Sequence, residues 1–412
     1  MNIPIQPILA SLRHHRLTTA LLMLQVALTC AIVCNVAFMV VNRWSEVHID
    51  SGVDEASLSV LDSQGVKADA EPWIGHAEDL AALRGIPGVT AAIAVDTLPL
   101  GGSESSTGAC ASSEALEAAI KANSLDGQSA CVQFATLAGS PGELATLGLK
   151  LIAGRDFLPD DYKTGDISAA IISRELAERL YPEKQALGKS LYNGSDTPVR
   201  IVGIVETLLR PYLRDASINQ FTMLWPQLPN RNNVTYLLRS APQDTQRVLK
   251  AAVVALDKVN PQRIIPAKYV RTYTQMRDTY FQRDTTMIGL LLASALGLLF
   301  VTVLGITGLA NFWVQQRTRS IGIRRAIGAT RGDILRYFQT ENFLIVGAGI
   351  VLGMLLAFLL NAVLMQQYEL PRLPLFYLPI GGLVLWGLGQ LAVLGPALRA
   401  AAVPPMVATR SA

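Results

Sequence analysis

Four stretches of this 412-residue chain contain no Asp, Glu, Lys or Arg: Leu17–Asn42, Thr285–Gln316, Asn342–Tyr368 and Leu373–Leu398. A helix rises ~1.5 Å per residue and ~20 apolar residues cross a bilayer core, so each stretch is long enough to span. Four buried core helices are the alternative, and four uncharged runs of this length argue against it. The expected spans are residues 17–42, 285–316, 342–366 and 375–397, with a short outer loop at 367–374. The first run follows a basic start (Arg13, His14, His15, Arg16). Its apolar part far exceeds the ~7–15 residues of a signal-peptide core, so it reads as an uncleaved anchor.

Charge is distributed unevenly. From Arg43 to Asp284 there are 24 basic and 29 acidic residues, a net of −5, and every lysine lies there. The rest of the chain holds 11 basic and 3 acidic residues, a net of +8. Arg13 and Arg16 precede the first run. Arg317, Arg319, Arg324, Arg325, Arg331 and Arg336 separate the second from the third, and Arg399 and Arg410 follow the fourth. The positive-inside rule then puts the 1–16 terminus, the 317–341 loop and the 398–412 tail in the cytoplasm, and residues 43–284 outside.

That outer segment is large enough for its own core. "AAIIS" (Ala169–Ser173) reads as a buried strand running into "RELAERLYP", a short helix stopped by Pro182. "VRIVGIVETL" (Val199–Leu208) reads as a second strand. "TQRVLKAAVVALDKVNP" (Thr245–Pro261) reads as an amphipathic helix, and "GGSESSTGACASS" (Gly101–Ser113) as a loop. The expected class is an α-helical membrane protein with four transmembrane helices and a large α+β domain between the first two. Cys110 and Cys131 are the outer cysteines, and an oxidising exterior permits either a bridge or two separate thiols. Cys30 and Cys34, at i and i+4, read as packing residues. Gly349-Ile-Val-Leu-Gly353 is a G-x-x-x-G, which suits close packing within the chain or against a second copy.

Catalytic patterns are missing. There is no G-x-S-x-G and no H-E-x-x-H, and no Cys/His cluster has zinc spacing. "LGKS" (Leu187–Ser190) has Glu183 where a P-loop needs its first glycine, so ATP binding is not expected. Asp160 and Asp161 read as a solvated turn. No cofactor, metal or nucleic acid is expected. The four runs contain no ionisable group for an ion pathway, only Gln25, Asn35, Asn311, Asn361, Gln390 and some hydroxyls. A chain with neither pore nor catalytic group is suited to transmitting force or information between its two sides.

The basic segment "RTRSIGIRRAIGATRGDILRYFQTE" then becomes the point of interest. Ile323, Ile327, Thr330, Ile334 and Phe338 recur at helical spacing, giving one expected apolar stripe. Gly328 is expected to break the segment into two short helical pieces. The segment resembles the cytoplasmic signature of MacB/FtsX-type ABC transporter permeases. Ile321, Gly322, Arg324, Arg325, Gly328, Ala329, Arg331 and Ile334 fit that pattern, with Arg317, Arg319, Ala326, Leu335, Phe338 and Glu341. Ser320 stands where the pattern has an acid. "SPGELATLGLKLIAGRDFLPDD" and "AAIISRELAERLYPEKQALGKSL" are similar to segments of the family's outer domain, and "GPALRAAAVPPMVATR" to its exit from the last span.

The resemblance implies mechanotransmission. A separate ATPase subunit would dock on the residues just named, a second permease copy would pair as a homo- or heterodimer, and motion would pass to the outer domain. A periplasmic adaptor and an outer-membrane exit duct complete MacB-like systems. The expected location is the bacterial inner membrane, and the expected role is export of a peptide, drug-like or lipid-linked substrate. An FtsX-like relay to a cell-wall hydrolase and a lipoprotein-releasing permease are the alternatives within the same family.

Overall fold

The computed structural model describes residues 16–66, 72–124, 130–162, 167–182, 186–194, 198–213, 217–229, 232–368 and 372–404. Arg13, His14, His15, Glu183, Glu369 and Arg410 lie outside these residues. The chain divides into two units, residues 1–48 with 283–412, and residues 49–282. Helix α1 (Arg16–Val47) opens the first unit and runs five residues past its uncharged stretch. Arg43, in that extension, pairs with Asp284. The compact outer unit runs from residue 49 to residue 282, within the expected 43–284.

In chain order the outer unit contains β1 (Leu58–Gly65), α2 (Pro72–Arg84), β2 (Val89–Val95), β3 (Ser105–Cys110), α3 (Ser113–Ala122) and β4 (Cys131–Ala138). Then come α4 (Glu143–Leu147), β5 (Leu151–Gly154), β6 (Ala169–Ser173), α5 (Arg174–Leu180), β7 (Ser190–Leu191) and β8 (Val199–Val205). Last are β9 (Thr222–Trp225), β10 (Asn233–Ser240), α6 (Thr245–Val259), β11 (Arg263–Ile264), β12 (Val270–Thr272) and α7 (Tyr273–Tyr280). One sheet has the order β11-β1-β10-β2, with β12 also on β1, and is antiparallel. The other has the order β3-β4-β9-β6-β8-β5, with β7 on β8, and is parallel at β4–β9 and β6–β8.

Period-2 alternation assigns each strand's two faces. In β2, Ala92 and Ala94 meet α2 and α6, together with Leu61, Tyr236 and Leu238. Ile93 and Val95 turn the other way and join Leu58, Val60, Leu137, Ile171, Val205 and Leu224 between the sheets. In β6, Ala170 and Ile172 face Leu176, Ala177 and Leu180 of α5. The order of layers is helices, sheet, sheet, helix.

The Gly101–Ser113 stretch is not all loop, because β3 occupies its centre. Strand β3 is an edge strand whose ladder partner is β4, with one further bridge from Cys110 to Tyr192, and an edge is where Ser and Gly are tolerated in a sheet. Cys110 and Cys131 sit opposite each other in that pair and form a disulfide. The bridge closes a 21-residue separation, a length for which lost chain entropy gives about 3 kcal/mol. Replacing both cysteines by serine is expected to destabilise the outer unit by about that amount. Denaturant unfolding of the double variant under non-reducing conditions checks this, and an unchanged midpoint refutes it.

Two buried acid groups in this unit differ in kind. Asp79 accepts from Arg263 Nη1 and Nη2, at 2.7 and 2.6 Å, and also from the Tyr236 hydroxyl. It is a satisfied structural pair. Glu143, the first residue of α4, is 1% exposed and neither carboxylate oxygen has a hydrogen-bond partner. Burial first, then the charges of Asp156 and Asp96, push its pKa up to about 8.

The membrane unit continues with α8 (Gln282–Gln316), α9 (Thr318–Ala326), α10 (Arg331–Tyr368) and α11 (Tyr377–Ala401). Four helices, α1, α8, α10 and α11, are long and apolar enough to cross a membrane. Helix α10 packs along both α1 and α11. A Cβ on Gly353 would lie 2.5 Å from the Cys30 Cβ and 2.7 Å from the Ala27 carbonyl oxygen. One on Gly349 would lie 2.9 Å from Val26. The G-x-x-x-G is therefore a seam within the chain, between α10 and α1, and Cys30 and Cys34 are buried beside it. Some amides in the bundle bond to backbone. Asn35 donates to the Ala31 and Ala357 carbonyls, and Asn342 to that of Gly389.

Candidate coupling site

The basic segment folds as α9, a four-residue break, and the opening turns of α10. Helix α9 ends in a Schellman motif. The Gly328 N–H donates to the Arg325 carbonyl at 3.2 Å and the Ala329 N–H to the Arg324 carbonyl at 3.0 Å. The geometry needs φ of +104° at Gly328, which glycine adopts without a Cβ penalty. Thr330 and Asp333 then cap α10 reciprocally. The Asp333 N–H donates to Thr330 Oγ1 at 3.2 Å, and the Thr330 N–H to Asp333 Oδ2 at 3.0 Å.

The second piece is not short. Helix α10 continues unbroken from Arg331 through the third span, across the expected membrane boundary at 341/342. The single apolar stripe also fails. The left-handed turn at Gly328 resets the helical phase, so side chains on either side of it no longer share a face. Ile321, Gly322, Ile334 and Phe338 are buried, and the three apolar side chains belong to the bundle core. Ile323 and Ile327 stay 45% and 82% exposed. Of the residues expected to meet a partner, Ile321, Gly322 and Ile334 hold the segment in place and do not present a surface.

The arginines divide the same way. Arg325 Nη1 donates to the carbonyls of Ala401 and Val403 at 3.2 and 2.6 Å, fastening α9 to the end of α11. The Arg324 guanidinium lies 4.9 Å from the centre of the Tyr337 ring. Arg317 Nη1 donates to both oxygens of Glu341, at 3.1 and 3.0 Å. Glu341 is almost completely buried, and the pair joins the start of α9 to α10. Residues 24 positions apart across a turn carry no periodicity that would announce this contact. What remains at the surface is Ile323 and Ile327 among Arg319, Arg324 and Arg331, with Ser320 and Gly328 also exposed. Ile323 and Ile327, four residues apart with arginines on either side in sequence, form a candidate apolar knob.

Among the described residues no group of three or more His, Cys, Asp or Glu is placed to hold a metal. Asp161 accepts from Arg155 and from the Leu158 N–H, so the acidic pair is a capped turn.

A model of the MacB-like periplasmic core domain matches residues 19–264, and a model of the FtsX-like permease C-terminal region matches residues 292–405. The chain belongs to the MacB/FtsX permease family. Its α+β outer unit is of the MacB type, and the FtsX-like region takes in α9 and the helices around it. A Shewanella oneidensis protein named "Macrolide export ATP-binding/permease protein MacB" is 28% identical over 379 residues, covering 87% of this chain and 52% of that protein. Bacillus subtilis YknZ, described as an uncharacterized ABC transporter permease, is 26% identical over 276 residues, covering 65% of this chain and 68% of YknZ. The crystal structure of the periplasmic region of MacB from Actinobacillus actinomycetemcomitans aligns with 57% of this chain and 97% of its own, at 12% identity and a TM-score of 0.35. The chain spans about half or less of the length of the MacB proteins it matches first.

Proposed function

We propose that this MacB/FtsX-family chain is the permease subunit of an ABC transporter of the mechanotransmission type. An ATPase on a separate chain binds the knob formed by Ile323 and Ile327, and its closure moves α9 and α10. Two permease copies pair, both termini and α9 lie in the cytoplasm of the inner membrane, and the outer unit handles a peptide, drug-like or lipid-linked substrate. An adaptor and an outer-membrane duct complete the path. The chain itself hydrolyses no nucleotide.

The observation that carries this reading is the exposed apolar pair at Ile323 and Ile327, 45% and 82% exposed in a segment otherwise rich in arginine. An exposed apolar pair outside the uncharged runs is a feature that a docking partner would cover. Arg325 is a poor probe, because it fastens α9 to α11 and its loss disturbs the fold. The decisive substitution is Ile327→Asp. Placed at a docking centre, an uncompensated charge is expected to cost more than ~2 kcal/mol of binding, a loss of ~30-fold or greater. ATPase co-purification should fall accordingly, with membrane insertion and thermal stability unchanged. An undiminished yield of ATPase removes the knob as the docking element. Altered cell shape with unaltered tolerance to toxic compounds in a deletion strain would instead assign the FtsX-like relay.

A further inference from the structure

Lined by none of the knob residues, a groove of about 510 Å³ runs between α10 and α11. Arg336, Gln339, Thr340 and Phe343 line it from α10, Trp386 and Gln390 from α11. The spacing 336, 339/340, 343 is one helical face, and 386, 390 is another. The groove is graded. Arg336 stands at its charged end, in the second turn of α10 and six residues before the uncharged run. Phe343 and Trp386 form its apolar end, edge to face with ring centres 5.3 Å apart.

We propose that this groove holds an anionic glycerophospholipid from the leaflet on the side of the Arg317–Arg336 segment. Its phosphate would meet Arg336, its ester carbonyls the amide and indole donors, and an acyl chain the Phe343 and Trp386 rings. Three observations point there. The Arg336 guanidinium makes no hydrogen bond or ion pair among the described residues, and Asp333 one turn back is the acid whose charge reaches it. Trp386 Nε1 and Gln390 Nε2 are shielded from water and have no hydrogen-bond partner. Both side chains line the groove. Finally, Arg319, Arg324, Arg331 and Arg336 are exposed with Asp333 the acid among them, a local excess of positive charge that selects an anionic headgroup. A protein side chain could supply the anion but not the tail for the apolar end, which is continuous with the lipid-facing surface at Phe343.

The inference is independent of the transporter reading, and failure of the Ile327 experiment leaves it standing. The test is native mass spectrometry of the full chain from nanodiscs containing phosphatidylglycerol and phosphatidylcholine. Retained phosphatidylglycerol is expected. Arg336→Gln should reduce it about fivefold, the factor equivalent to ~1 kcal/mol per basic side chain at an anionic surface. Gln390→Leu should also reduce it, while Arg399→Gln, an exposed arginine near the end of α11, should not. Equal losses for Arg336→Gln and Arg399→Gln would show a diffuse charge effect and overturn the site. Displacement of the lipid by millimolar inorganic phosphate would assign the groove to a soluble anion. Loss of a co-purifying polypeptide on Arg336→Gln, with lipid retained, would assign it to a protein.

Discussion

Replacing Glu143 by glutamine is expected to stabilise the outer unit at pH 8 by several kcal/mol and to flatten its pH profile. The sign follows from proton counting. An unfolded glutamate titrates near 4.5, whereas buried Glu143 keeps its proton up to about 8. Between those values the folded state binds one proton more than the unfolded state. Stability therefore falls by ~1.4 kcal/mol for each unit of pH gained in that window. Below it the two forms carry the same proton and the group contributes no pH dependence. Above it the carboxylate is ionised in both states and the loss levels off. The variant carries no proton to lose, so its profile should lack this slope. Denaturant unfolding of the full chain at pH 5, 6.5 and 8, followed through Trp73 and Trp225 of the outer unit, measures it. Parallel profiles for the two proteins would mean that Glu143 finds a partner when ionised.

The second large effect lies at Glu341. Removing it by Glu341→Ala leaves the Arg317 guanidinium, 20% exposed, without the carboxylate it grips. Breaking such a pair from one side costs ~3–5 kcal/mol, because the remaining charge is still desolvated. Cys30 and Cys34 are free and buried in α1, so their reaction with a thiol dye on heating reports the opening of the bundle. The variant's transition should fall well below that of the parent. Replacing both partners, Arg317→Met with Glu341→Leu, should recover most of the loss. If the double variant is as weak as the single one, the pair is not the source of the effect.

The parts of this architecture that could be read from sequence are those governed by local chemistry. Uncharged length located the spanning helices, β-branched runs located β6 and β8, and Pro182 and Pro261 lie just beyond α5 and α6. The parts that escaped depend on a neighbour. Strand β3 has a loop's composition and is a strand because β4 lies beside it. Gly349 and Gly353 announced close packing, but only the fold identified Val26, Ala27 and Cys30 as what they pack on. The same holds in the basic segment. The glycine that was expected to break the helix does so, yet the stripe drawn through it ignored the phase change that a φ of +104° imposes. Ile321 and Ile334 consequently belong to the interior, and Ile323 and Ile327 to the surface.

The continuity of α10 has a mechanical corollary. Thirty-eight residues in one helix make a rod about 57 Å long at ~1.5 Å per residue. Its lower end carries Arg331 and Ile334, just past the break at Gly328, and its upper end is Tyr368. The helix is unbroken along this length, and the glycine seam packs it against α1 part-way along, where a fulcrum would lie. A tilt of a few degrees imposed beside Gly328 displaces Tyr368 in the opposite direction by a comparable distance. Under the proposed docking beside Gly328, the pliable backbone lies where the rod would be pushed, and the stiffness where the push would travel.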